Sequence, residues 1–144
     1  MEITVRPIGF VRASLVDVSG APSQASGAAD VQARIEVDVA FVDGLLGLDR
    51  YPYLWLVTWL HDQPAAGPAD LQLVPRALEA EGRVQGVFAS RAPRRPNPIG
   101  LSLVRNLGVE GAVISFAGVD VVDGTPVLDI KPWFDDCDLP TTVS

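Results

Sequence analysis

Cysteine and histidine are almost absent from this chain. Cys137 and His61 each occur once among 144 residues. A single cysteine cannot form an intramolecular disulfide, and the chain has no set of cysteines and histidines that could ligate a structural zinc ion. The sequence therefore predicts no disulfide framework and no bound metal. An intracellular setting is the simplest inference.

Long apolar runs are also missing. No segment approaches the ~20 apolar residues that a membrane-spanning helix needs, and residues 1–7 lack the long apolar core of a secretory signal. We therefore expect a cytoplasmic protein that does not contact membranes. No Gly-x-Gly-x-x-Gly follows a predicted strand and no Gly-x-Ser-x-Gly is present. These absences exclude a Rossmann cofactor site and a nucleophile elbow.

Basic residues are scarce and concentrated. The chain has 11 Lys and Arg against 18 Asp and Glu, which gives a formal net charge of -7. Proteins that bind nucleic acid by its phosphates usually carry a broad basic face. Here Arg91, Arg94 and Arg95 form a local positive island, which attracts anions. Any contact with RNA is predicted to be local, or shared across subunits.

These arginines lie in a segment rich in proline, residues 90–100, which we call the arginine loop. Pro93, Pro96 and Pro98 fix their own φ angles and push the preceding residues towards extended conformations. Apolar runs border the loop, at Val84–Ala89 and Leu101–Leu107, so we expect it between two packed strands. On residue chemistry alone, a surface connection with solubilising arginines explains the loop as well as a functional site does.

The fold prediction depends on short strands separated by turns. Apolar residues alternate with polar ones from Val31 to Phe41, and Tyr53–Leu60 is apolar on both faces. Asp123-Gly124 is a hairpin signal between predicted strands Val113–Val122 and Val127–Ile130. The sequence predicts an all-β fold, a small antiparallel β-barrel with short helical turns, as one domain over residues 1–144. One such helical turn is expected at residues 76–81, before Gly82.

Two strings resemble the signature of a known family. The first runs Phe-x-x-Arg-x-Pro-x-Arg-Pro-Asn-Pro-Ile-Gly-x-Ser from Phe88 to Ser102, and the second, Asp-Gly-Thr-Pro-Val-x-Asp-Ile-Lys-Pro, begins at Asp123. Both are similar to the TrmO family, also called TsaA-like or YaeB-like. Its members are S-adenosylmethionine-dependent methyltransferases with a small β-barrel, and studied bacterial members modify threonylcarbamoyl-adenosine next to the tRNA anticodon.

The resemblance implies a cofactor, a site and partners. The cofactor is S-adenosyl-L-methionine, the expected assembly is a homodimer, and tRNA is a candidate partner. The implied cofactor-binding residues are Pro22, Ser23, Gln24, Leu60, His61, Arg91, Leu101, Ala117, Gly118, Val119 and Asp120. Asp120 and His61 are candidate catalytic bases, because an attacking amine must lose a proton. Arg94, Arg95 and Asn97 are candidate substrate-binding residues.

Alternatives stay open at this point. A lone histidine such as His61 is also explained as a structural residue, and turn chemistry explains Asp123 without any function. The bacterial tRNA enzymes carry an extra carboxy-terminal domain that we expect this chain to lack. Three acceptor hypotheses follow: a tRNA methyltransferase, a methyltransferase for a small molecule, and a non-catalytic S-adenosylmethionine-binding protein.

Overall fold

The computed structural model describes residues 1–13, 31–118 and 122–141. The chain divides into two compact units. One comprises Met1–Thr58 and Leu101–Ser144, and we call it the barrel unit; the other, Trp59–Gly100, is the loop unit. No helix among the described residues is long and apolar enough to cross a membrane.

Six antiparallel strands close into a barrel in the order β1-β2-β7-β6-β3-β8. Their bounds are β1 Gly9–Ala13, β2 Gln32–Val37, β3 Tyr53–Trp59, β6 Ile99–Glu110, β7 Val113–Ala117 and β8 Pro126–Pro132. Two short strands, β4 Gln72–Leu73 and β5 Gln85–Gly86, pair with each other in the loop unit. The prediction of an all-β antiparallel barrel is confirmed.

Short helical turns connect these strands. The 3₁₀ helices are Val39–Leu45, Leu48–Arg50, Pro68–Asp70, Arg76–Glu81 and Val87–Ala89, and a single α-helix, α1, spans Asp135–Asp138 among the described residues. The helical turn predicted at residues 76–81 is confirmed. Gly82 ends it with φ 62°, a left-handed conformation that glycine adopts without a steric penalty.

The core fills the barrel because alternate strand residues point inward. In β3, Leu54, Leu56 and Thr58 are buried, while the residues between them are partly exposed. The alternation predicted from Val31 is confirmed only as far as Val37. The chain then turns, because the Asp38 carboxylate accepts a hydrogen bond from the Ala40 N–H at 2.9 Å and caps the first 3₁₀ helix.

The predicted hairpin across Asp123-Gly124 is wrong. A turn is present there, with Gly124 at φ 84°, but β7 pairs with β2 and β6 whereas β8 pairs with β3 and β1. The strand that precedes β7 in the chain, β6, does pair with it, and Gly111 lies in the turn between the two strands at φ 59°. A glycine turn signal predicts a reversal of the chain, but it does not decide which strands pair.

Closure of the barrel brings backbones close together at Gly9. This residue pairs with Val37 of β2 on one side and with Val127 of β8 on the other. A Cβ atom added at Gly9 would lie 2.5 Å from the backbone oxygen of Glu36. Because that oxygen belongs to a strand backbone, it cannot move without distorting the pairing of β1 with β2.

We therefore expect Gly9→Ala to lower the free energy of unfolding by about 1–3 kcal/mol, the usual cost of overpacking. Chemical denaturation measures the change. Gly44→Ala is the matched control, since nothing lies within 4 Å of a Cβ added there. Equal unfolding midpoints for the two variants would contradict this account of the closure.

Candidate functional site

The arginine loop is tied to the rest of the loop unit by backbone hydrogen bonds. The Leu60 N–H donates to the carbonyl of Pro98 at 2.7 Å, and the Ala66 N–H donates to the carbonyl of Arg95 at 2.8 Å. The loop is preceded by Val87, whose side chain is 1% exposed and whose N–H donates to the Leu71 carbonyl at 2.9 Å. The first two contacts tie the arginine loop to the segment Leu60–Ala66, and the third fixes the residues just before the loop.

The predicted strand before the arginine loop is only partly present. Within Val84–Ala89, the strand β5 covers Gln85–Gly86 alone, and Val87–Ala89 is a turn of 3₁₀ helix. After the loop, β6 is a strand of 12 residues, as expected. The loop therefore connects a helical turn to a barrel strand, and the turn directs Val87 inward and leaves Phe88 exposed.

Arg95 organises the loop from within. Its Nη1 donates to the carbonyl oxygens of Ser90 and Ala92 at 2.9 and 3.0 Å. The Ser90 hydroxyl in turn donates to the Val87 carbonyl at 2.9 Å, and the Arg95 guanidinium lies 6.0 Å from the centroid of the Phe88 ring. Arg95 therefore has a structural role that its prediction as a substrate-binding residue did not include.

Arg94 has a carboxylate partner that the sequence did not indicate. Its Nη2 lies 3.1 Å from Oδ2 of Asp70, 24 positions earlier in the chain. The same carboxylate oxygen accepts a hydrogen bond from the Gly67 N–H at 3.1 Å. Both side chains are partly solvated, at 51% and 35% exposure, so the pair contributes roughly 0.2–1 kcal/mol.

The other predicted residues of the loop unit lie near these contacts in the chain. His61 follows Leu60 directly, and its N–H donates to the Trp59 carbonyl at 2.9 Å. His61, Arg91 and Asn97 are exposed and Leu60 is half-buried. The Leu60–Pro98 hydrogen bond therefore joins the segment that follows β3, where His61 lies, to the arginine loop, next to Asn97.

The remaining predicted site residues belong elsewhere. Leu101 is an exposed residue of β6 in the barrel unit, and Ala117 is buried at the end of β7. Gly118 follows at φ 95°, and its N–H donates to the Val31 carbonyl at 3.0 Å. Five predicted residues lie outside the described residues: Pro22, Ser23, Gln24, Val119 and Asp120.

Two acidic residues of the second signature have structural partners. Asp123 accepts a hydrogen bond from the Ala13 N–H at 3.0 Å, which connects the turn to the end of β1. Asp129 pairs with Lys131 at 2.9 Å on the surface of β8. Within the described ranges, no group of acidic, histidine and cysteine side chains could hold a metal ion.

Together these features define a small antiparallel barrel whose cationic loop is held by its own hydrogen bonds. The sequence model of the tRNA-methyltransferase O N-terminal domain matches residues 10–139. The chain therefore belongs to this family, as the resemblance implied.

Individual relatives agree with this assignment. The chain is 38% identical over 96% of its length to a protein of Methanothermobacter thermautotrophicus named "Probable S-adenosyl-L-methionine-binding protein", and the match covers 95% of that protein. It is 32% identical over 99% of its length to a mouse tRNA (adenine(37)-N6)-methyltransferase, of which it covers 33%. The crystal structure of TrmO from Pseudomonas aeruginosa superposes with a TM-score of 0.78 at 34% identity.

That superposition includes the whole of this chain and 61% of the solved one. The chain thus spans nearly the full archaeal relative but about a third of the mouse enzyme. Family membership and fold follow from these matches.

The ion pair between Asp70 and Arg94 should weaken the attraction of the loop for anions. We expect Asp70→Asn to raise the affinity for a short RNA oligonucleotide about two- to fivefold at low salt, because it releases the Arg94 charge from a pair of this strength. An asparagine oxygen can still accept from the Gly67 N–H. Fluorescence anisotropy measures the change.

Asp49→Asn is the matched control, since it removes the same charge from an exposed site in the barrel unit. If Asp49→Asn raises the affinity equally, net charge alone is responsible, and the pair has no specific effect on anion binding.

Proposed function

We propose that this chain is an S-adenosylmethionine-dependent methyltransferase and that its acceptor is the N6 atom of an adenosine next to a tRNA anticodon. Relatives carry the names that describe this activity and this cofactor. The observation in the structure that supports the proposal most directly is the pre-organised arginine loop. It presents Arg91 and Asn97 in the same unit as His61. The Leu60–Pro98 hydrogen bond connects the neighbour of His61 to the neighbour of Asn97.

The available side chains suit the chemistry of the methyl donor. S-adenosylmethionine combines an adenine, a sulfonium and an amino-acid tail, so its site needs apolar walls and a guanidinium for the carboxylate. Within the loop unit, Leu60 supplies apolar surface and Arg91 supplies the guanidinium. When bound, the donor supplies an electrophilic methyl group. The chain itself contributes positioning, and holding two reactants in line can lower a barrier by roughly 7–11 kcal/mol.

A proton must also leave the attacking amine. His61 is exposed, and its backbone N–H donates to the Trp59 carbonyl, so its imidazole lies at the surface of the loop unit, where it can turn towards an acceptor. An imidazole nitrogen can accept a proton from an attacking amine, which makes His61 a candidate base. Asp120 stays the other candidate, on the family resemblance alone.

A small-molecule acceptor is the second candidate. The net charge of -7 opposes binding of a polyanion, and Asp70 neutralises part of the cationic loop through Arg94. A small acceptor would not require a broad basic face. A non-catalytic binding protein is the third possibility, and it requires donor binding without turnover.

The homodimer stays a prediction. It rests on the family resemblance. Two tyrosines of the barrel unit make aromatic contacts within that unit: Tyr51 packs edge-on against Phe134 and Tyr53 against Trp133. Tyr53 is 42% exposed, and exposed aromatic surface of this kind favours an interface with a second copy.

Labelled methyl donor, incubated with total tRNA before and after threonylcarbamoylation, tests the acceptor. We expect label in the RNA, with an activity that falls as salt rises and a shallower salt dependence for Arg94→Ala. Arg34→Ala is the control, because it removes an exposed arginine from β2 of the barrel unit. Label that enters only a small-molecule fraction would favour a small-molecule methyltransferase. Tight binding of the methyl donor without any turnover would favour a non-catalytic binding protein.

Donor binding is tested separately by calorimetry. We expect Arg91→Ala to weaken binding of S-adenosylmethionine about tenfold to a hundredfold, because a hydrogen bond to a charged group contributes roughly 1.5–3 kcal/mol. Arg83→Ala removes another exposed arginine of the loop unit, one that pairs with Glu81 at 3.5 Å, and serves as the control. Unchanged affinity in Arg91→Ala would exclude this arginine from the donor site.

A further inference from the structure

Phe88 is a large apolar side chain left almost fully in water. Its residue is 79% exposed, whereas Val87 beside it is 1% exposed. Both lie in the 3₁₀ turn Val87–Ala89, so the buried valine anchors the turn and the phenyl ring projects from it. Single exposed apolar residues are common on protein surfaces. The surroundings of this ring are what set it apart.

The ring lies beside a guanidinium that is fixed in place. Arg95 reaches within 6.0 Å of the Phe88 centroid while it donates to the carbonyls of Ser90 and Ala92. Those hydrogen bonds go to neutral oxygens, and the ion pairs among the described residues do not include Arg95. The pair therefore combines an exposed aromatic face with a guanidinium that has no ion-pair partner in the part of the chain that the structure describes.

A second pair of this type shows the difference. In the barrel unit, the Arg12 guanidinium lies 5.9 Å from the ring of Phe10, but Arg12 is also bonded to the Glu36 carboxylate at 3.3 Å. Phe10 is 40% exposed, half as much as Phe88. The ring of Phe10 is thus less exposed than that of Phe88, and the Glu36 carboxylate offsets the charge of Arg12. This is expected of a surface contact that has only a structural role.

We propose that Phe88 and Arg95 form a stacking platform for an unpaired nucleobase of a single-stranded RNA loop. A nucleobase offers a flat π-face and its backbone offers a phosphate, which complement an aromatic ring and a guanidinium respectively. The rest of the molecule is acidic, so a polyanion is attracted to this loop and repelled elsewhere. The inference deepens the proposed function, on which it rests for the choice of RNA, and adds Phe88 as a substrate-binding residue.

The platform is already assembled before RNA arrives. Arg95 is fixed by two hydrogen bonds, Ser90 closes the turn by donating to the Val87 carbonyl, and the Ala66 N–H donates to the Arg95 carbonyl. Binding therefore orders few additional protein groups, which favours affinity. Stacking on a rigid ring is also tolerant of base identity, so the platform would position a loop without selecting its sequence.

The test measures binding of a single-stranded RNA oligonucleotide of anticodon-loop length to the full chain, by fluorescence anisotropy over a range of salt concentrations. We expect Phe88→Leu to lower the affinity about tenfold to a hundredfold, because it keeps an apolar side chain but removes the π-face. The slope against salt should stay unchanged, since no cation is removed. Phe88→Trp should restore binding, a rescue that loss of mere apolar bulk would not produce.

Phe10→Leu is the matched control, because it makes the same substitution in the compensated pair. Affinity losses of equal size in Phe88→Leu and Phe10→Leu would overturn the platform. So would sedimentation showing that Phe88→Leu dissociates a dimer of the wild-type chain, because the ring would then belong to an interface between copies.

Parallel assays separate this inference from the proposed function. If the wild-type chain methylates tRNA and Phe88→Leu raises KM while donor affinity is unchanged, the platform is supported. If Phe88→Leu methylates with wild-type kinetics, the platform is wrong and the function stands. If the wild-type chain binds the oligonucleotide through Phe88 but methylates no tRNA, the platform stands and the acceptor proposal is wrong. Absence of RNA binding by the wild-type chain would overturn both.

Discussion

The hydrogen bonds of Arg95 are the interaction on which the candidate site depends. Proline has no N–H to donate, so Pro93, Pro96 and Pro98 leave the arginine loop short of backbone donors. Donors must come from elsewhere. Arg95 supplies two from its side chain, and the backbone N–H groups of Leu60 and Ala66 supply two more. These hydrogen bonds connect carbonyls of the arginine loop to donors outside the regular backbone pattern.

The same hydrogen bonds explain why the cations of the loop cannot be treated as equivalent. The sequence shows three arginines within five positions and suggests one positive island. In the structure, Arg95 holds the loop together and Arg94 is paired with Asp70. Two hydrogen bonds hold Arg95, and a partly solvated ion pair engages Arg94, so the charge left for a phosphate is smaller than the count of arginines implies.

Much of the fold could be predicted from local patterns. Alternation identified β2 and the apolar run identified β3, because one face of each strand fills the barrel. The pairing of strands could not be predicted in this way. The Asp123-Gly124 turn joins strands that are not neighbours in the sheet, and only the strand order of the closed barrel shows this. Capping by Asp38 shortened β2 in a way that alternation alone does not reveal. The ion pair of Asp70 with Arg94 could not be predicted from the sequence of the arginine loop, because the two residues are 24 positions apart.

The exposure of Phe88 could not be predicted either, since an apolar residue in an apolar run is expected to be buried. It is exposed because the turn at Val87–Ala89 replaces the expected strand and directs successive side chains differently. An acidic chain of this kind has few cations to offer the phosphates of RNA. Where few charges are available, the favourable free energy must come from contacts that salt does not screen, and stacking of a base on an exposed ring is such a contact. On the stacking proposal, the ring of Phe88 beside the Arg95 guanidinium would compensate for the small number of cations.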